Sequence, residues 1–287
     1  MKLYNTINGI LLEVDDQVFL IDEQWDALVN RNGLEGYLTT KISHNKKLPD
    51  NEVNLLMTGD TILPPIGSQE VWAAGVTYLR SRDARMEESK SSGAASLYDL
   101  VYDAQRPELF FKATSARVSG HGQEVYIRRD SAWNVPEPEL TLFINSKGNI
   151  QGYTIGNDMS SRSIEGENAL YLPQAKIYEK SAAIGPCLYV SDQPIGGETN
   201  IKLKIKRQGG VVFDDLTTVS RIKRTFEELV SYLYAECDFD QGCYLMTGTC
   251  LVPAGDFTLQ TGDVVEIDID KIGKLVNTVA YNPKHTT

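Results

Sequence analysis

Pro136-Glu137-Pro138-Glu139-Leu140 begins the stretch that decides the fold, and Asn157-Asp158 ends it. The apolar runs 140–144 and 150–155 lie between these two motifs and are separated by the turn-like Ser146-Lys147-Gly148-Asn149. Two apolar runs on either side of a short turn of polar residues and glycine are typical of a β-hairpin. We therefore expect both motifs to lie at the open end of one hairpin.

The register of this hairpin decides which side chains meet. In an extended strand, side chains two positions apart point to the same face, so Glu137 and Glu139 project together. Folding the hairpin symmetrically about Lys147 and Gly148 pairs position 137 with position 158. Asp158 then lies across the ladder from Glu137, and three carboxylates share one place.

Three carboxylates within a few ångström raise one another's pKa unless a cation neutralises them. The two motifs contain no basic residue. Hard oxygen ligands suit Mg²⁺, Mn²⁺ or Ca²⁺, so the hairpin predicts a divalent metal site. The alternative is a solvated strand face, because Glu-x-Glu pairs are common on surface strands.

The composition argues against several classes of partner. The 287 residues carry a net charge of −11 and a pI near 4.8, which would repel phosphate backbones and anionic lipids. No apolar run reaches the ~20 residues that a membrane-spanning helix needs, and the N-terminus lacks the apolar region of a signal peptide. We expect a cytoplasmic protein with no nucleic-acid or membrane partner.

Several catalytic and cofactor motifs are missing. The three histidines have no metal-ligand spacing, and the absence of a Gly-x-Ser-x-Gly elbow argues against triad hydrolysis. Neither Gly-x-Gly-x-x-Gly nor Gly-x-x-x-x-Gly-Lys occurs, so nothing indicates a dinucleotide or a nucleoside triphosphate. The four cysteines lack Cys-x-x-Cys spacing and are predicted to be reduced thiols.

The pattern of apolar residues divides the chain into two predicted domains. Residues 1–65 alternate short apolar runs with polar stretches and end at Leu63-Pro64-Pro65, which predicts a small N-terminal α+β domain. From Val71 onward, strands alternate with glycine and proline turns, so we expect residues 66–287 to form the catalytic domain. The predicted fold class is α+β, mainly β.

Two helices are predicted in the larger domain. Residues 226–237 carry apolar side chains at helical spacing, and Thr225 with Glu228 forms a capping box at their start. Residues 78–90 contain helix formers with a thin apolar stripe, and a loop of small residues follows. This second segment is either a mobile lid or a solvated surface helix.

Two basic residues and one turn follow the carboxylates along the chain. Arg162 and Lys176 are surface residues by default, but beside a metal either would neutralise an anionic substrate. A lysine near a cation can also have its pKa lowered into the range useful for proton transfer. Thr247-Gly248-Thr249 is either a plain turn or a source of hydroxyl and N–H groups for a carboxylate.

Motifs spread over roughly residues 70–280 resemble, in order and spacing, those of the fumarylacetoacetate hydrolase family. They are Gly75-Val76-Thr77-Tyr78, Pro107-Glu108-Leu109-Phe110-Phe111-Lys112, Pro136-Glu137-Pro138-Glu139-Leu140, Gly152-Tyr153-Thr154-Ile155-Gly156-Asn157-Asp158-Met159-Ser160-Ser161-Arg162, Lys176 before Gly185-Pro186, Thr247-Gly248-Thr249, and Gly262-Asp263-Val264-Val265-Glu266-Ile267.

This resemblance implies a mixed β-roll catalytic domain with a divalent metal on Glu137, Glu139 and Asp158. Mg²⁺ is expected, with Mn²⁺ or Ca²⁺ as alternatives, and the substrates are 2-oxo or 1,3-dioxo acids. The resemblance places Lys176 and Arg162 in the active site, and it implies a homodimer or homotetramer.

The chain departs from the hydrolases of this family at one motif. Those enzymes usually carry Asn-Tyr-x-x-His-x-x-Glu after the first strand, and Ser81 and Ala84 stand here at the His and Glu positions. The water-activating pair is therefore absent from the sequence. Residues 101–114, Gly120-His121-Gly122 and residues 169–178 are instead similar to the 2-keto-3-deoxy-D-arabinonate dehydratase branch.

Similarity to this branch implies a lyase that converts 2-keto-3-deoxy-D-arabinonate to 2,5-dioxopentanoate. The C3 proton leaves to form an enolate, and the C4 hydroxyl then departs. Lys176 is the expected proton shuttle, with a metal-bound water as the alternative base. Expected substrate contacts are Arg162, Thr249, Lys112 and Arg82, the last grouped with two other arginines of the predicted lid, Arg80 and Arg85.

Other functions remain open from the sequence. The same metal site suits C–C hydrolysis of an acylpyruvate or decarboxylation of a 2-oxo diacid. A non-catalytic metal-binding protein of the same fold is a further alternative, and the presence of Lys176 with all three carboxylates argues against it.

Overall fold

Strands dominate the computed structural model, which describes residues 1–45, 47–58, 60–78, 100–253 and 255–285. The α-helices described in full are short: α1 (Trp25–Val29), α2 (Leu34–His44), α3 (Asp50–Leu56), α4 (Arg162–Glu167), α5 (Leu172–Lys176) and α6 (Phe226–Leu233). Within the described ranges, none of these helices is long and apolar enough to cross a membrane.

The larger sheet contains eleven strands. Its order is β3 (Gln17–Ile21), β2 (Gly9–Val14), β1 (Lys2–Thr6), β13 (Ala182–Tyr189), β11 (Ile150–Asp158), β10 (Pro138–Ile144), β16 (Cys243–Met246), β5 (Glu70–Gly75) and β6 (Glu108–Thr114). Two short strands lie off this path, β4 (Ile62–Leu63) beside β1 and β7 (Val118–Ser119) beside β13.

The smaller sheet has five strands, and a two-stranded ribbon lies apart. The five run in the order β15 (Gly210–Thr218), β14 (Asn200–Arg207), β17 (Val264–Ile269), β18 (Gly273–Tyr281) and β8 (Glu124–Ile127). The ribbon pairs β9 (Asn134–Val135) with β12 (Ser160–Ser161). Parallel pairs occur in both large sheets, for example β16 with β5 and β18 with β8. The predicted mainly-β fold with mixed sheets is confirmed.

The apolar core lies between the two large sheets. Leu142 of β10 and Ile155 of β11 belong to the same buried cluster as Leu203 of β14 and Ile267 of β17. Burying one such aliphatic side chain stabilises the fold by roughly 1.5–3 kcal/mol. A second cluster packs α1 and α2 against the other face of the larger sheet. The hairpin strands are therefore covered on both faces.

The N-terminal strands continue the larger sheet. Strand β1 pairs with β13 in antiparallel fashion, with Leu3 opposite Leu188. Both side chains are fully buried. The division of the chain at residues 65 and 66 stays a prediction.

The hairpin of β10 and β11 has the predicted register at its open end. Glu139 pairs with Gly156, and the Asp158 N–H donates to the Glu137 carbonyl at 2.9 Å. Near the turn the register shifts by one residue at Ile144, because the Asn145 side chain accepts hydrogen bonds from two backbone N–H groups of the turn. A bulge absorbs this shift, so the carboxylates still face one another.

The predicted helix at residues 226–237 begins correctly and ends early. The Thr225 hydroxyl accepts from the Glu228 N–H at 3.1 Å, as the capping motif predicts. The helix stops at Leu233, so the predicted end was wrong. The Tyr234 backbone N–H still donates to the Val230 carbonyl, and its hydroxyl donates to carbonyls at the hairpin turn, at 2.9 Å from the Asn145 oxygen. This long-range contact fixes the residue just past the helix end, and apolar spacing does not encode it.

The predicted lid falls almost wholly outside the described residues. Tyr78 is described and buried, but residues 79–99 are not, and these include Arg80, Arg82 and Arg85. The expected substrate contact by Arg82 therefore stays a prediction.

Gly156 provides a test of the hairpin geometry. A Cβ at this position would lie 2.3 Å from Thr141 Oγ1 and 3.1 Å from Met246 Cε. We expect Gly156→Ala to lower the free energy of unfolding by about 1–3 kcal/mol, the usual cost of overpacking. Denaturant unfolding of the metal-free protein measures this.

The matched control is Gly36→Ala in α2, where a Cβ would meet nothing within 4 Å. Alanine favours a helix by about 1 kcal/mol over glycine, so the control should be neutral or stabilising. Equal effects of the two substitutions would contradict the close packing of the hairpin.

Candidate metal and active site

Three buried carboxylates meet at the open end of the hairpin. Glu137 directly precedes β10, Glu139 lies on it, and Asp158 ends β11. One oxygen from each lies within 4.8 Å of the others. None of the three side chains is more than 5% exposed. The structure therefore brings together the three residues that the sequence predicts as metal ligands.

The turn Thr247-Gly248-Thr249 contacts the carboxylate of Glu139. The Gly248 N–H donates to Glu139 Oε2 at 2.6 Å. Gly248 has φ +98°, and a Cβ there would lie 2.0 Å from Thr77 Oγ1. Both observations require glycine at this position. The predicted Thr247-Gly248-Thr249 turn thus supplies an N–H group to a carboxylate of the protein itself.

Lys176 lies at the centre of the cluster. Its Nζ donates to Glu137 Oε2 at 2.5 Å, to Asp158 Oδ2 at 2.9 Å and to Ser160 Oγ at 2.5 Å. The side chain is 1% exposed and comes from the end of α5. These two carboxylates and the hydroxyl fix the position of the ammonium.

Arg162 extends the cluster on one side. Its Nη2 lies 2.6 Å from Glu137 Oε1, and its Nη1 lies 3.6 Å from Glu165 Oε2. Glu165 Oε1 is also 3.8 Å from the Lys176 ammonium. The Ser161 hydroxyl caps α4 by accepting from the Ile164 N–H, which fixes the helix that carries both Arg162 and Glu165.

Lys112 contacts the cluster at Asp158. Its Nζ lies 2.5 Å from Asp158 Oδ1, and the side chain is fully buried. Lys112 does not line the nearby cavity. The cavity wall consists of Ala74, Gly75, Val76, Phe110, Glu137, Glu139, Asp158, Arg162, Lys176, Gly248 and Thr249. The cavity wall thus contains the three predicted metal ligands together with Lys176, Arg162 and Thr249, and Lys112 lies outside it.

Three basic side chains contact the carboxylates directly. They are Lys112, Arg162 and Lys176, of which only Arg162 is close to the hairpin strands in the sequence. Removing an ion from water costs several kcal/mol, and only close partners offset that cost. The cations therefore supply part of the compensation that the sequence assigned to a metal alone.

Glu139 is the one of the three carboxylates that none of these cations contacts. Among the described residues, no lysine or arginine lies within ion-pair distance of it, and Gly248 provides its one hydrogen bond. Burial, reinforced by repulsion from Asp158 and Glu137, raises the pKa of the Glu139 carboxyl well above 4.5. A hard divalent cation among three carboxylates fits this donor set.

The sequence missed two residues of the cluster. Ser160 follows Asp158 by two positions, so the alternation of side chains in an extended segment placed both on one face. Glu165 follows Arg162 by three positions, the spacing of ion pairs on a helix. Both signals were present, but they required the short elements β12 and α4 to be recognised first.

The sequence profile of the fumarylacetoacetate (FAA) hydrolase C-terminal domain matches residues 84–280. The chain belongs to the fumarylacetoacetate hydrolase family. The solved structure of a 2-keto-3-deoxyarabinonate dehydratase in a hexagonal crystal form superposes with a TM-score of 0.84, at 35% identity over 98% of this chain and 99% of the other. The fold expected from the family resemblance is confirmed.

Relatives within the family carry dehydratase names. A Haloferax volcanii protein described as a probable 2-keto-3-deoxyxylonate dehydratase is 48% identical over 75% of this chain and 73% of its own length. The 2-dehydro-3-deoxy-D-arabinonate dehydratase of Saccharolobus solfataricus is 40% identical over 88% of this chain and 84% of its own.

A further solved structure shows a related protein with ligands. It is a 2-keto-3-deoxy-D-arabinonate dehydratase complexed with magnesium and 2,5-dioxopentanoate. It is 34% identical to this chain, covers 98% of it and 99% of its own length, and has a TM-score of 0.82.

The raised pKa of Glu139 predicts a pH effect on stability. Its ordinary pKa is about 4.5, and in the folded metal-free protein the pKa is higher. Between these two values the folded state binds more protons than the unfolded state, so this residue makes the free energy of unfolding fall as pH rises. We expect Glu139→Gln to remove that decline, so its stability relative to the parent should increase above pH 4.5.

Glu23→Gln is the control with the opposite sign. Although burial raises the pKa of Glu23, hydrogen bonds from Lys41, Tyr37 and Arg31 lower it to about 2. The stability that Glu23 contributes is present above pH 4.5 and is lost as pH falls towards 2. Denaturant unfolding from pH 4 to pH 8 should show Glu23→Gln less stable than the parent throughout. A parallel loss for Glu139→Gln would contradict the assignment.

Proposed function

We propose that this chain is a Mg²⁺-dependent dehydratase that converts 2-keto-3-deoxy-D-arabinonate to 2,5-dioxopentanoate. The observation that carries the proposal is the similarity over nearly the whole chain to a dehydratase solved with magnesium and 2,5-dioxopentanoate. The three clustered carboxylates and the lysine beside them support the same chemistry.

The two substrate names among the relatives agree chemically. Dehydration of a pentonate to its 2-keto-3-deoxy form removes the stereocentres at C2 and C3 and leaves only C4. D-arabinonate and D-xylonate share their C4 configuration, so both give the same 2-keto-3-deoxy acid. Both relatives therefore support one substrate when the xylonate is also of the D series.

Glu137, Glu139 and Asp158 would hold the divalent cation. When bound, the cation supplies Lewis-acid stabilisation of the enolate formed at C3 and lowers the pKa of a neighbouring lysine. Hard oxygen donors of this kind are those that Mg²⁺ prefers.

Lys176 is the proposed proton shuttle. Contacts with Glu137, Asp158 and Ser160 fix its Nζ in the cavity wall. As a neutral amine it takes the C3 proton, and as the resulting ammonium it returns that proton to the departing C4 hydroxyl. One lysine thus serves the elimination, which releases water and leaves a double bond between C3 and C4. Loss of a C5 proton, protonation at C3 and ketonisation of the resulting C4–C5 enol then give 2,5-dioxopentanoate.

Substrate contacts are proposed for two other residues of the cavity wall. Arg162 and Thr249 line the cavity, where they would orient the substrate carboxylate and hydroxyls. A cytoplasmic homodimer or homotetramer stays a prediction. C–C hydrolysis has less support, because the chain carries Ser81 and Ala84 where the hydrolases of the family carry their His and Glu.

Lys176→Met tests the proton shuttle. The substitution keeps an unbranched side chain and removes the amine. We expect turnover to fall by about 10²-fold or more, the scale of a lost proton-transfer group. Mg²⁺ binding should be retained, because no proposed ligand is lost. Steady-state kinetics and calorimetric Mg²⁺ titration measure the two effects.

The matched control for this prediction is Lys180→Met, four residues away, where the lysine pairs with Glu124 at the surface. It should turn over like the parent. Turnover of Lys176→Met within about threefold of the parent would remove Lys176 from the proposed mechanism.

The reaction type is tested by products. With Mg²⁺, a 2-keto-3-deoxypentonate should lose one water and yield a semialdehyde that an aldehyde reagent traps. Acylpyruvates and fumarylacetoacetate should turn over slowly or not at all, because hydrolysis needs an additional aimed nucleophile. Mass detection of products distinguishes the outcomes. Rapid release of pyruvate from an acylpyruvate, without dehydration of sugar acids, would restore the hydrolase alternative.

A further inference from the structure

We propose that Lys112 is a positioning residue, which joins the carboxylate of Asp158 to the backbone at Lys176. It fixes Lys176 relative to the proposed metal ligands without touching the substrate. This inference rests on the proposed function for its catalytic consequence, but its structural part does not.

The ammonium of Lys112 has three close acceptors. Its Nζ donates to the Met159 carbonyl at 3.1 Å and to the Lys176 carbonyl at 2.5 Å, and it forms an ion pair with Asp158 Oδ1 at 2.5 Å. An ammonium has three N–H groups and no acceptor. Two hydrogen bonds and one ion pair therefore hold it in place.

The burial of Lys112 separates it from the cavity. Its side chain is fully buried and is absent from the cavity wall, although Phe110, two positions earlier on β6, belongs to that wall. With its ammonium held by two carbonyls and a carboxylate and no open surface, Lys112 does not face a substrate in the cavity. The geometry favours a supporting role over the substrate contact expected from the sequence.

Asp158 is held between two lysines. Lys112 contacts its Oδ1, and Lys176 contacts its Oδ2 at 2.9 Å. The orientation of this carboxylate, and with it the direction of the oxygen that faces the cluster, depends on Lys112. Groups that hold a metal ligand from outside typically change metal affinity or activity by about 10–100-fold when they are removed.

The same ammonium anchors the helix that carries Lys176. Helix α5 has five residues, which is too short to be stable alone. Its last carbonyl, at Lys176, accepts from Lys112 and also from the Ser181 hydroxyl at 2.9 Å. Loss of Lys112 would remove one of the two partners that the described residues give this carbonyl, and it would loosen the backbone beneath the proposed proton shuttle.

The experiment compares Lys112→Met with Lys206→Met, a control that breaks a surface ion pair with Glu266 in the smaller sheet. Two readouts need no substrate. Mn²⁺ binding is followed by electron paramagnetic resonance, and amide hydrogen exchange is followed by mass spectrometry in a peptide covering residues 172–178. The third readout is kcat and KM for the 2-keto-3-deoxypentonate at saturating Mg²⁺.

For Lys112→Met we expect at least tenfold weaker Mn²⁺ binding, faster exchange in residues 172–178 and a kcat at least tenfold lower. KM should stay within threefold, because no substrate contact is lost. The control should match the parent in all three. A higher KM with unchanged kcat would make Lys112 a substrate contact, and unchanged Mn²⁺ binding and exchange would overturn the proposal.

A second variant covers the case in which Lys112→Met does not fold because Asp158 is left as an unpaired buried charge. Lys112→Met with Asp158→Asn removes both charges, and it should fold and still show faster exchange in residues 172–178 than Asp158→Asn alone. Equal exchange in these two proteins would overturn the proposal. If the parent dehydrates no sugar acid, the proposed function fails, while the exchange measurement still decides the role of Lys112.

Discussion

A buried set of opposite charges is the constraint on which the rest of the structure depends. Glu137 and Asp158 both contact Lys176, and none of these side chains is more than 5% exposed. Removing one partner of such a pair typically costs about 3–5 kcal/mol, because the other charge is left buried. Each member of this set, or a hydrogen bond to it, comes from one of four segments: the hairpin, the short helices α4 and α5, and the Gly248 turn. A fold that buries these charges must therefore hold several distant segments in one arrangement.

The sequence predicted the part of the site that a local pattern encodes. Glu137 and Glu139 are two positions apart in an extended segment, and a single hairpin brings Asp158 opposite, so strand geometry alone placed all three carboxylates. The bulge near Ile144 was not predicted, yet it lies between the turn and the site and leaves the register at Glu139 unchanged. Family motifs then indicated Lys176. No local sequence pattern predicts its position between two carboxylates.

Long-range contacts account for what the sequence did not reveal. Lys112 lies on β6, far from Asp158 along the chain, and only the assembled sheet brings them together. For the same reason no local pattern predicted the ion pair between Lys112 and Asp158. The end of α6 was misjudged in a similar way, since Tyr234, just past the helix, contacts the distant hairpin turn. Apolar spacing describes which face a helix buries, but it carries no information on such polar contacts.

The central claim is that Glu137, Glu139 and Asp158 bind one divalent cation despite the three cations already among them. The most direct test is a crystal structure of the protein grown with Mn²⁺, with anomalous diffraction measured to locate the metal, beside one of Glu139→Gln. The account predicts one anomalous peak within bonding distance of all three carboxylates in the parent, and a weakened or missing peak in the variant. A parent crystal with no peak there, or an undiminished peak in Glu139→Gln, would contradict it.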